Sequence, residues 1–192
     1  GNWSTNDGGG VYIGAGCNPT GINCTVAFNV ASNRGSALST AGTPLFKNVI
    51  IWGNSDPASD PIDLQSAATF TYSCVQEFHP GTGNQTNNPV FVAPGDYQLQ
   101  LSSPCLDMGT SVGSPTNDYA GQVRPMDGDG DGVAIVDIGA YERTNYVYVC
   151  NQAYTHYVSA VSTNPKIPYT NWATAAQHIQ SAVNVAYTGA LI

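Results

Sequence analysis

Charged side chains are scarce in this sequence. They make up 9% of the 192 residues, and 5 Lys and Arg stand against 13 Asp and Glu, which gives a formal net charge of −8. The basic residues lie singly along the chain, so no basic patch is present to bind phosphate groups. We therefore expect no nucleic-acid partner and no binding to an anionic membrane surface.

Long apolar runs and closely paired cysteines are missing as well. No apolar run approaches the length of a transmembrane helix, so we expect no membrane span. None of the 5 cysteines belongs to a CxxC pair, and none has a His at zinc-finger spacing, which disfavours structural zinc. The chain starts with Gly and shows no signal peptide, so we expect a mature product or an excerpt from a longer polypeptide.

Gly, Pro, Tyr and β-branched residues are abundant instead. The 21 Gly and 12 Pro predict frequent turns. Together with the shortage of Glu, Lys and Arg, this mix favours many short strands over long exposed helices. Low charge, many Ser and Thr and a pI near 4.3 are typical of exported proteins. We expect the protein to be secreted or displayed on a cell surface.

A short repeat is visible in the first eighty residues. Asn23, Asn48 and Ser73 are spaced by 25 residues, and Asn29 and Asn54 share that spacing. Short apolar segments with Asn or Gly at the corners predict a β-solenoid, in which each repeat forms one coil. The alternative is a β-sandwich with accidental spacing, because sandwiches also space their strands regularly.

The repeat predicts where individual side chains lie. In NVIIWGN, Val49 and Ile51 should share one face of a strand, with Ile50 and Trp52 on the other. An Asn at a corner tolerates left-handed backbone and can bond to the Asn stacked on it. Equal spacing also predicts one stack for the residues that follow the corners, Cys24, Val49 and Cys74.

The stack has a consequence for disulfides. Two coil steps separate Cys24 from Cys74 by about 9.6 Å, which is beyond disulfide reach. Cys17 and Cys24 are close in sequence, and they are the more plausible disulfide pair.

An ordered series of motifs follows the repeat: IIWGN, ATFTYSCVQ, GNQTNNPVFVAPGDYQLQLSSPCLDMGT and RPMDGDGDGVAIVDIGAYE. The series, which covers roughly residues 8 to 143, resembles the C-terminal part of secreted bacterial pectin-lyase-like proteins with a choice-of-anchor C-terminal region. The resemblance implies an all-β right-handed parallel β-helix that an irregular region containing SPCLDMG and VDIGAYE closes. Most members of that family are surface or secreted proteins without a proven activity.

The last segment has a separate resemblance. HYVSAVSTNPKIPYTNWATAAQHIQSAVNVAYTGALI is similar to the beginning of such a β-helix, where a short amphipathic helix caps the first coil. Thr170 or Asn171 can serve as N-cap, and one apolar face is spaced helically along Trp172, Ala175, Ala176, Ile179, Ala182, Val183 and Ala186. The predicted organisation is coils over 1–78, a closing region over 79–143, a linker strand over 144–155 and a cap segment over 156–192.

The acidic run DGDGDG is the main candidate for a cation site. Asp127, Asp129 and Asp131 alternate as at positions 1, 3 and 5 of a calcium loop, with Gly132 at the turn and the Val133 carbonyl at position 7. A standard EF-hand is excluded because its twelfth position holds Ile138 rather than Glu.

Calcium is therefore the expected ion of this loop. Its predicted ligands are Asp127, Asp129, Asp131 and Val133, with Asp137 as a further candidate. The alternative is a solvated Gly–Asp turn, in which water screens the repulsion between the carboxylates.

Arg124 lies close in sequence to the acidic run. A partly buried pair with Asp137 or Glu142 would lock the closing region. If all three side chains face water instead, such a pair contributes little.

No catalytic residue is predicted. Pectate lyases need a carboxylate cluster and a base on their coils, and polygalacturonases need paired aspartates and a Gly-His-Gly segment. Asp56, Asp60 and Asp63 are expected in a solvated turn, and the histidines, His79, His156 and His178, are far apart in sequence. Three aromatic residues, Trp3, Tyr12 and Trp52, are candidates for stacking on sugars, although core aromatics are commoner.

These features predict a non-enzymatic structural or adhesive unit that assembles head to tail into a fibre or tandem array. In this hypothesis residues 156–192 cap the first coil of the next copy, through Trp172, Ile179, Val183, Leu191 and Ile192. One alternative is a fragment of a carbohydrate-active enzyme, a polysaccharide lyase or hydrolase, whose catalytic coils lie outside this chain. The other is a carbohydrate-binding surface module.

Overall fold

The computed structural model describes residues 1–143, 158–161, 163–165, 175 and 177. It divides the chain into two compact units, Gly1–Asn145 and Tyr146–Ile192. The predicted linker strand at 144–155 and the predicted capping helix lie outside the described residues, as do all five predicted assembly residues. Every strand that the structure describes belongs to the first unit.

Short strands build the first unit, and the described part of the chain contains no helix. The strands fall into three consecutive coils and a hairpin: β1 (Trp3–Ser4), β2 (Val11–Ile13), β3 (Thr20–Ile22) and β4 (Thr25–Ala27) in coil 1; β5 (Val30–Ala31), β6 (Leu38–Thr40), β7 (Leu45–Lys47) and β8 (Ile50–Trp52) in coil 2; β9 (Ile62–Leu64), β10 (Thr69–Thr71) and β11 (Cys74–Val75) in coil 3; and β12 (Phe91–Ala93) with β13 (Asp96–Leu99) in the hairpin.

Equivalent strands of successive coils pair in parallel. They form three three-stranded sheets in the orders β2-β6-β9, β3-β7-β10 and β4-β8-β11, and β1 pairs with β5. Of the strands that the structure describes, only β12 and β13 pair in the antiparallel sense. The described fold is therefore all-β with parallel sheets, and its stacked coils are compatible with a β-solenoid.

The register between coils 2 and 3 differs from the predicted repeat. Ile50 pairs with Thr25 in coil 1 and with Cys74 in coil 3, so the step is 25 residues and then 24. Cys24 aligns with Val49, but Cys74 does not lie on that stack. The prediction of one stack through all three residues is wrong.

A shortened loop explains the change of register. Val30 still faces Ser55, at a step of 25 residues, whereas Leu38 faces Ile62, at a step of 24. The loop between Ser55 and Ile62 is thus one residue shorter than its counterpart in coil 2. The corner of coil 3 consequently falls on Tyr72 rather than on Ser73.

The corners that join the second and third sheets use left-handed backbone. Asn23, Asn48 and Tyr72 have φ values of 50°, 52° and 49°. Asn48 Nδ2 also donates to Asn23 Oδ1 over 3.2 Å. The predicted left-handed, stacked Asn corner is therefore confirmed for coils 1 and 2. In coil 3 Tyr72 adopts a conformation that is uncommon for a side chain of its size.

A second Asn pair lies at the next corner. Asn29 Nδ2 donates to Asn54 Oδ1 over 2.9 Å, and Asn54 Nδ2 donates to the Val26 carbonyl over 2.9 Å. Both amides are buried, at 4% and 9% exposure. The pair therefore satisfies polar groups that would otherwise be buried without partners.

Apolar side chains from all three three-stranded sheets pack into one cluster. The residues of this inner cluster are Ile13, Ala37, Leu38, Phe46, Val49, Ile51, Ile62, Phe70 and Val75. Ile50 belongs to a second cluster against which Trp52 packs. The predicted division of this strand between two faces is confirmed.

The Asp56, Asp60 and Asp63 segment is more ordered than a solvated turn. Asp63 lies in β9 with 5% exposure, where its carboxylate accepts a bond from Ser39 Oγ and lies 3.7 Å from Arg34 Nη1. Asp56 accepts bonds from the Ser36 and Asp60 amides. The expectation of a solvated turn is wrong for Asp63, because its strand turns the carboxylate toward β6.

The closing region, residues 79–143, covers coil 3. The Tyr72 amide donates to the Thr82 carbonyl over 2.7 Å, and the Val75 amide donates to the Gln85 carbonyl over 2.9 Å. Asn84 Oδ1 accepts from the Ser73 amide over 3.1 Å. Backbone groups around the corner between β10 and β11 are thus paired with the closing region. In the described residues, β9, β10 and β11 are the edge strands of their sheets on this side, and β2, β3 and β4 are the edge strands on the side of coil 1.

Candidate metal centre

The acidic loop folds around its own carboxylates. Asp127 Oδ2 accepts from the Gly132 amide over 3.0 Å, and Asp129 Oδ1 accepts from the Asp131 amide over 3.0 Å. Asp side chains favour such local bonds to nearby amides. Gly130 and Gly132 have φ values of 85° and 94°, which glycine adopts without steric cost. The alternation of Asp and Gly therefore produces a tight turn.

A residue outside the loop completes a cluster of three carboxylates. Asp107, Asp127 and Asp129 bring one oxygen each to within 4.8 Å of one another. Asp107 Oδ2 also accepts from the Gly128 and Asp129 amides over 3.1 Å and 3.0 Å. Burial raises the pKa of Asp107, and the charge of Asp129 adds to the rise while the amide bonds oppose it. Three hard oxygen donors of this kind suit calcium.

The predicted ligands are only partly brought together. Asp127 and Asp129 belong to the cluster, but Asp131 does not; it is exposed, and its Oδ1 accepts from the Val133 amide over 2.7 Å. Val133 is 54% exposed. Asp107 was not predicted, because its position in SPCLD has no spacing relation to the loop.

Asp137 lies behind the cluster. It is fully buried, its Oδ1 accepts from the Asp107 amide over 2.8 Å, and its Oδ2 accepts from the Arg143 amide over 2.6 Å. Burial raises its pKa to about 7, against the effect of these bonds. Asp137 therefore holds the backbone of Asp107 in place, and the structure gives its carboxylate two amide partners where a metal-binding role was predicted.

A buried ion pair lies beneath the acidic loop. The structure pairs Arg124 with Glu142 rather than with Asp137, and the two side chains are 2% and 0% exposed. Arg124 Nη2 also donates to the Gly139 carbonyl over 3.1 Å, and Glu142 Oε2 accepts from the Met126 amide over 3.0 Å. Burial raises the pKa of Glu142, while its amide bonds and Arg124 oppose the rise.

The corner Asn residues attach this arrangement to the coils. Asn48 Oδ1 accepts from the Thr110 amide over 2.9 Å, and Asn48 Nδ2 donates to the Thr110 carbonyl over 2.8 Å. Asn23 Nδ2 donates to the Asp137 carbonyl over 3.2 Å, and the Gly139 amide donates to the Asn48 carbonyl over 2.9 Å. The coil corners at Asn23 and Asn48 therefore hold the segments that flank the acidic cluster.

An open groove with a volume of about 530 Å³ lies on another part of the surface. Phe28, Trp52, Phe91 and Tyr97 contribute aromatic rings to it, and the Phe28 and Tyr97 rings stack with centroids 6.2 Å apart. Of the aromatics predicted to stack on sugars, Trp52 lines the groove. Trp3 is 69% and Tyr12 is 65% exposed in coil 1.

The remaining candidate residues from the sequence are two cysteines and three histidines. Cys17 and Cys24 are exposed free thiols, so the disulfide predicted between them is not present in this structure. His79 packs against Phe70 with ring centroids 4.9 Å apart, and burial lowers its pKa. His156 and His178 lie outside the described residues.

Comparisons with known proteins gave no match. No family model fits the chain, and neither a curated protein nor a solved structure is similar to it at a significant level. Among the described residues, no helix has the length and apolar character needed to cross a bilayer.

Proposed function

We propose that this chain is a non-enzymatic structural or adhesive unit of an extracellular fibre or tandem array. In this proposal its coils form a right-handed parallel β-helix of the pectin-lyase-like type, and residues 79–143 act as a choice-of-anchor closing region. The difference between the two sides of the coil stack carries the proposal. Residues of the closing region bond to the backbone of coil 3 between Phe70 and Val75, whereas among the described residues no other segment pairs with the outer edges of β2, β3 and β4.

Edge strands of this kind favour addition of another chain. Outward amides and carbonyls that have no backbone partner within the described residues are a template for pairing. The proposed occupant is the cap segment 156–192 of a neighbouring unit, or of the next unit in a longer polypeptide. Because the two contact surfaces differ, the joint is heterologous and repeats into an open filament.

A truncation tests the joint. We expect the full chain to form concentration-dependent oligomers, and a chain ending at residue 155 to remain monomeric, as measured by light scattering and electron microscopy. Adding an excess of a peptide covering 156–192 should cap the truncated chain without linking copies. Unchanged assembly after truncation would contradict the proposal.

A substitution at the free edge gives a matched control. The Leu45 amide donates to the Pro19 carbonyl, and successive residues of a parallel strand bond to opposite sides, so the Thr20 amide faces the free edge. Thr20→Pro removes that donor and should reduce assembly, whereas Thr20→Ala retains it and should assemble normally. Both variants should keep the circular dichroism of the parent chain.

Calcium binding by the acidic cluster is the second part of the proposal. Asp107, Asp127 and Asp129 would supply the carboxylate oxygens, and the Asp131 and Val133 positions of the loop would supply further ligands. The bound ion would fix the closing region over the coils. Its ligand Asp107 is bonded to Asp137, and nearby Thr110 is bonded to Asn48 at a coil corner.

Calorimetry and thermal melting test the ion. At a hundredfold excess over its dissociation constant, calcium should stabilise the fold by about 2.7 kcal/mol, and chelator should remove that gain. Asp107→Asn and Asp127→Asn should abolish the calcium-dependent shift, whereas Asp96→Asn, an acid outside the cluster, should leave it intact. If melting is the same in calcium and in chelator, the loop is a solvated turn.

Carbohydrate binding is the second candidate function, and the aromatic groove favours it. Rings such as Trp52 and Tyr97 offer flat faces on which sugars stack. Oligogalacturonides and neutral oligosaccharides should quench the fluorescence of the groove tryptophan and bind more weakly to Trp52→Ala and Tyr97→Ala. Tyr119→Ala, at an exposed tyrosine outside the groove, is the control. Absence of binding by every sugar would remove this candidate.

A further inference from the structure

Two buried cysteines from distant parts of the chain meet in one apolar cluster. Cys74 lies in β11 of coil 3, Cys105 lies in the SPC segment of the closing region, and both are 0% exposed. They share the cluster with Ile50, Leu99, Leu106 and Ile138. Both are free thiols in this structure, and the Cys74 side chain acts on Cys105 strongly enough to raise its pKa.

Gln85 fixes the relative positions of the two cysteines. Its backbone forms a bridge with Cys74, since the Gln85 amide donates to the Ser73 carbonyl and the Val75 amide donates to the Gln85 carbonyl, both over 2.9 Å. Its side-chain Nε2 donates to the Pro104 carbonyl over 2.7 Å and lies 3.8 Å from Cys105 Sγ. Gln85 therefore contacts both cysteine segments and holds them next to each other.

We propose that Cys74 and Cys105 form a disulfide that joins coil 3 to the closing region. The bond forms by thiol–disulfide exchange with a small disulfide such as oxidised glutathione. The thiolate of one cysteine attacks the small disulfide and releases one glutathione thiolate, and the thiolate of the second cysteine then attacks the mixed disulfide and releases the other. Both protein sulfurs are oxidised, and one glutathione disulfide is reduced to two thiolates, which take up the two protons released by the cysteine thiols.

The timing of the exchange follows from burial. The contact with Cys74 and the loss of water both raise the pKa of the Cys105 thiol. Only the thiolate is nucleophilic, so the folded, reduced protein should exchange slowly. The disulfide should therefore form while the chain folds, and once formed it should resist reductants until the fold opens.

Peptide mapping tests the bond directly. The full chain is reduced, unfolded and refolded with reduced and oxidised glutathione, and free thiols are then alkylated under denaturing conditions. Digestion with trypsin and a Glu-specific protease cuts after Lys47, Glu77 and Glu142, so Cys74 and Cys105 fall in different peptides. We expect mass spectrometry to find peptides 48–77 and 78–142 joined until reductant is added. Recovery of both peptides separately, with alkylated cysteines, would overturn the proposal.

Melting curves provide an independent readout. Closing this loop should raise the melting temperature of the oxidised chain by about 10 °C over the reduced chain. The double variant Cys74→Ala, Cys105→Ala should lose this dependence on reductant, whereas Cys17→Ser, Cys24→Ser, which changes two exposed thiols, should keep it. If the wild-type chain melts identically in both conditions, the two cysteines only fill space. The peptide map needs no variant, so it decides the question even if the double variant does not fold.

Discussion

The coils and the closing region satisfy their buried polar groups in different ways. In the coils, backbone groups pair between successive strands, and stacked neutral amides such as Asn29 and Asn54 fill the corners. The closing region has one hairpin and a few isolated bridges in place of a regular ladder. It buries charged groups instead: Arg124 is 7%, Glu142 is 4% and Asp137 is 0% exposed.

In the closing region, buried carboxylates accept hydrogen bonds from backbone amides, as the carbonyls of neighbouring strands do in the coils. Glu142 accepts from the Asp137 and Met126 amides, Asp137 accepts from the Asp107 and Arg143 amides, and Asp118 Oδ2 accepts from the Glu142 amide. Buried amides need partners whether or not a neighbouring strand is present. Where the chain is irregular, side-chain oxygens supply those partners. The stability of this region therefore depends on ionisation more than that of the coils, where Asp63 is a buried carboxylate.

Breaking the buried ion pair should have the largest effect. Arg124→Met leaves the Glu142 carboxylate buried without its cation, and the loss of one partner of a buried pair costs about 3 to 5 kcal/mol. Urea denaturation measures this loss. The loss should shrink at low pH, because a protonated Glu142 needs no cation.

The coil counterpart of that substitution is Arg34→Met. Arg34 lies 3.7 Å from Asp63, and its side chain is 48% exposed. Water reaches the Arg34 end of the pair, and Ser39 Oγ still donates to the buried Asp63 carboxylate after the substitution, so the variant should lose only about 1 kcal/mol. Equal losses for Arg34→Met and Arg124→Met would contradict the distinction between the two regions.

The pH dependence of stability should come next in size. Burial raises the pKa of Asp137 from 3.8 to about 7, so the folded protein binds this proton more tightly than the unfolded chain. The stabilisation is present in full below the unfolded pKa and is lost as pH rises to the folded value. One pKa unit is worth about 1.4 kcal/mol, so the total loss is on the order of 4 kcal/mol.

Urea denaturation in chelator, at pH values between the unfolded and folded pKa of Asp137, measures how steeply the free energy of unfolding falls with pH. The raised pKa values of Asp107 and Glu142 add to it in the same direction. Asp137→Asn cannot ionise, so it should reduce the slope while losing one amide bond. A slope that survives this substitution unchanged would assign the pH dependence to other groups.

Removing the Asn48 side-chain amide, which joins the coils to the closing region, should lower the free energy of unfolding by a smaller amount. Asn48→Ala leaves the Thr110 amide and carbonyl without their partners and places Ala at a φ of 52°, which together cost about 2 to 3 kcal/mol. Hydrogen exchange should accelerate mainly in residues 105–142. Asn54→Ala breaks an amide pair within the coils, so its effect should stay there. Equal acceleration of both regions by both variants would show that they unfold together.

The sequence by itself determined the features that repeat locally. Alternating side chains predicted the two faces of NVIIWGN, because successive residues of a strand point in opposite directions. The spacing of Asn23 and Asn48 predicted a corner, because Asn tolerates the left-handed backbone that the turn requires. The Asp–Gly alternation predicted either a calcium loop or a solvated turn at residues 127–132, and in the structure the Asp side chains bond to amides within that turn.

Only the tertiary structure decided the contacts between segments without a common period. One shorter loop shifted Cys74 to the position of Ile50 and moved the corner to Tyr72. Packing of the closing region brought Asp107 to the acidic loop and Cys105 to Cys74, and it selected Glu142 as the partner of Arg124. These pairings join residues far apart in the chain, and they depend on the path of the backbone between them, which no local pattern specifies.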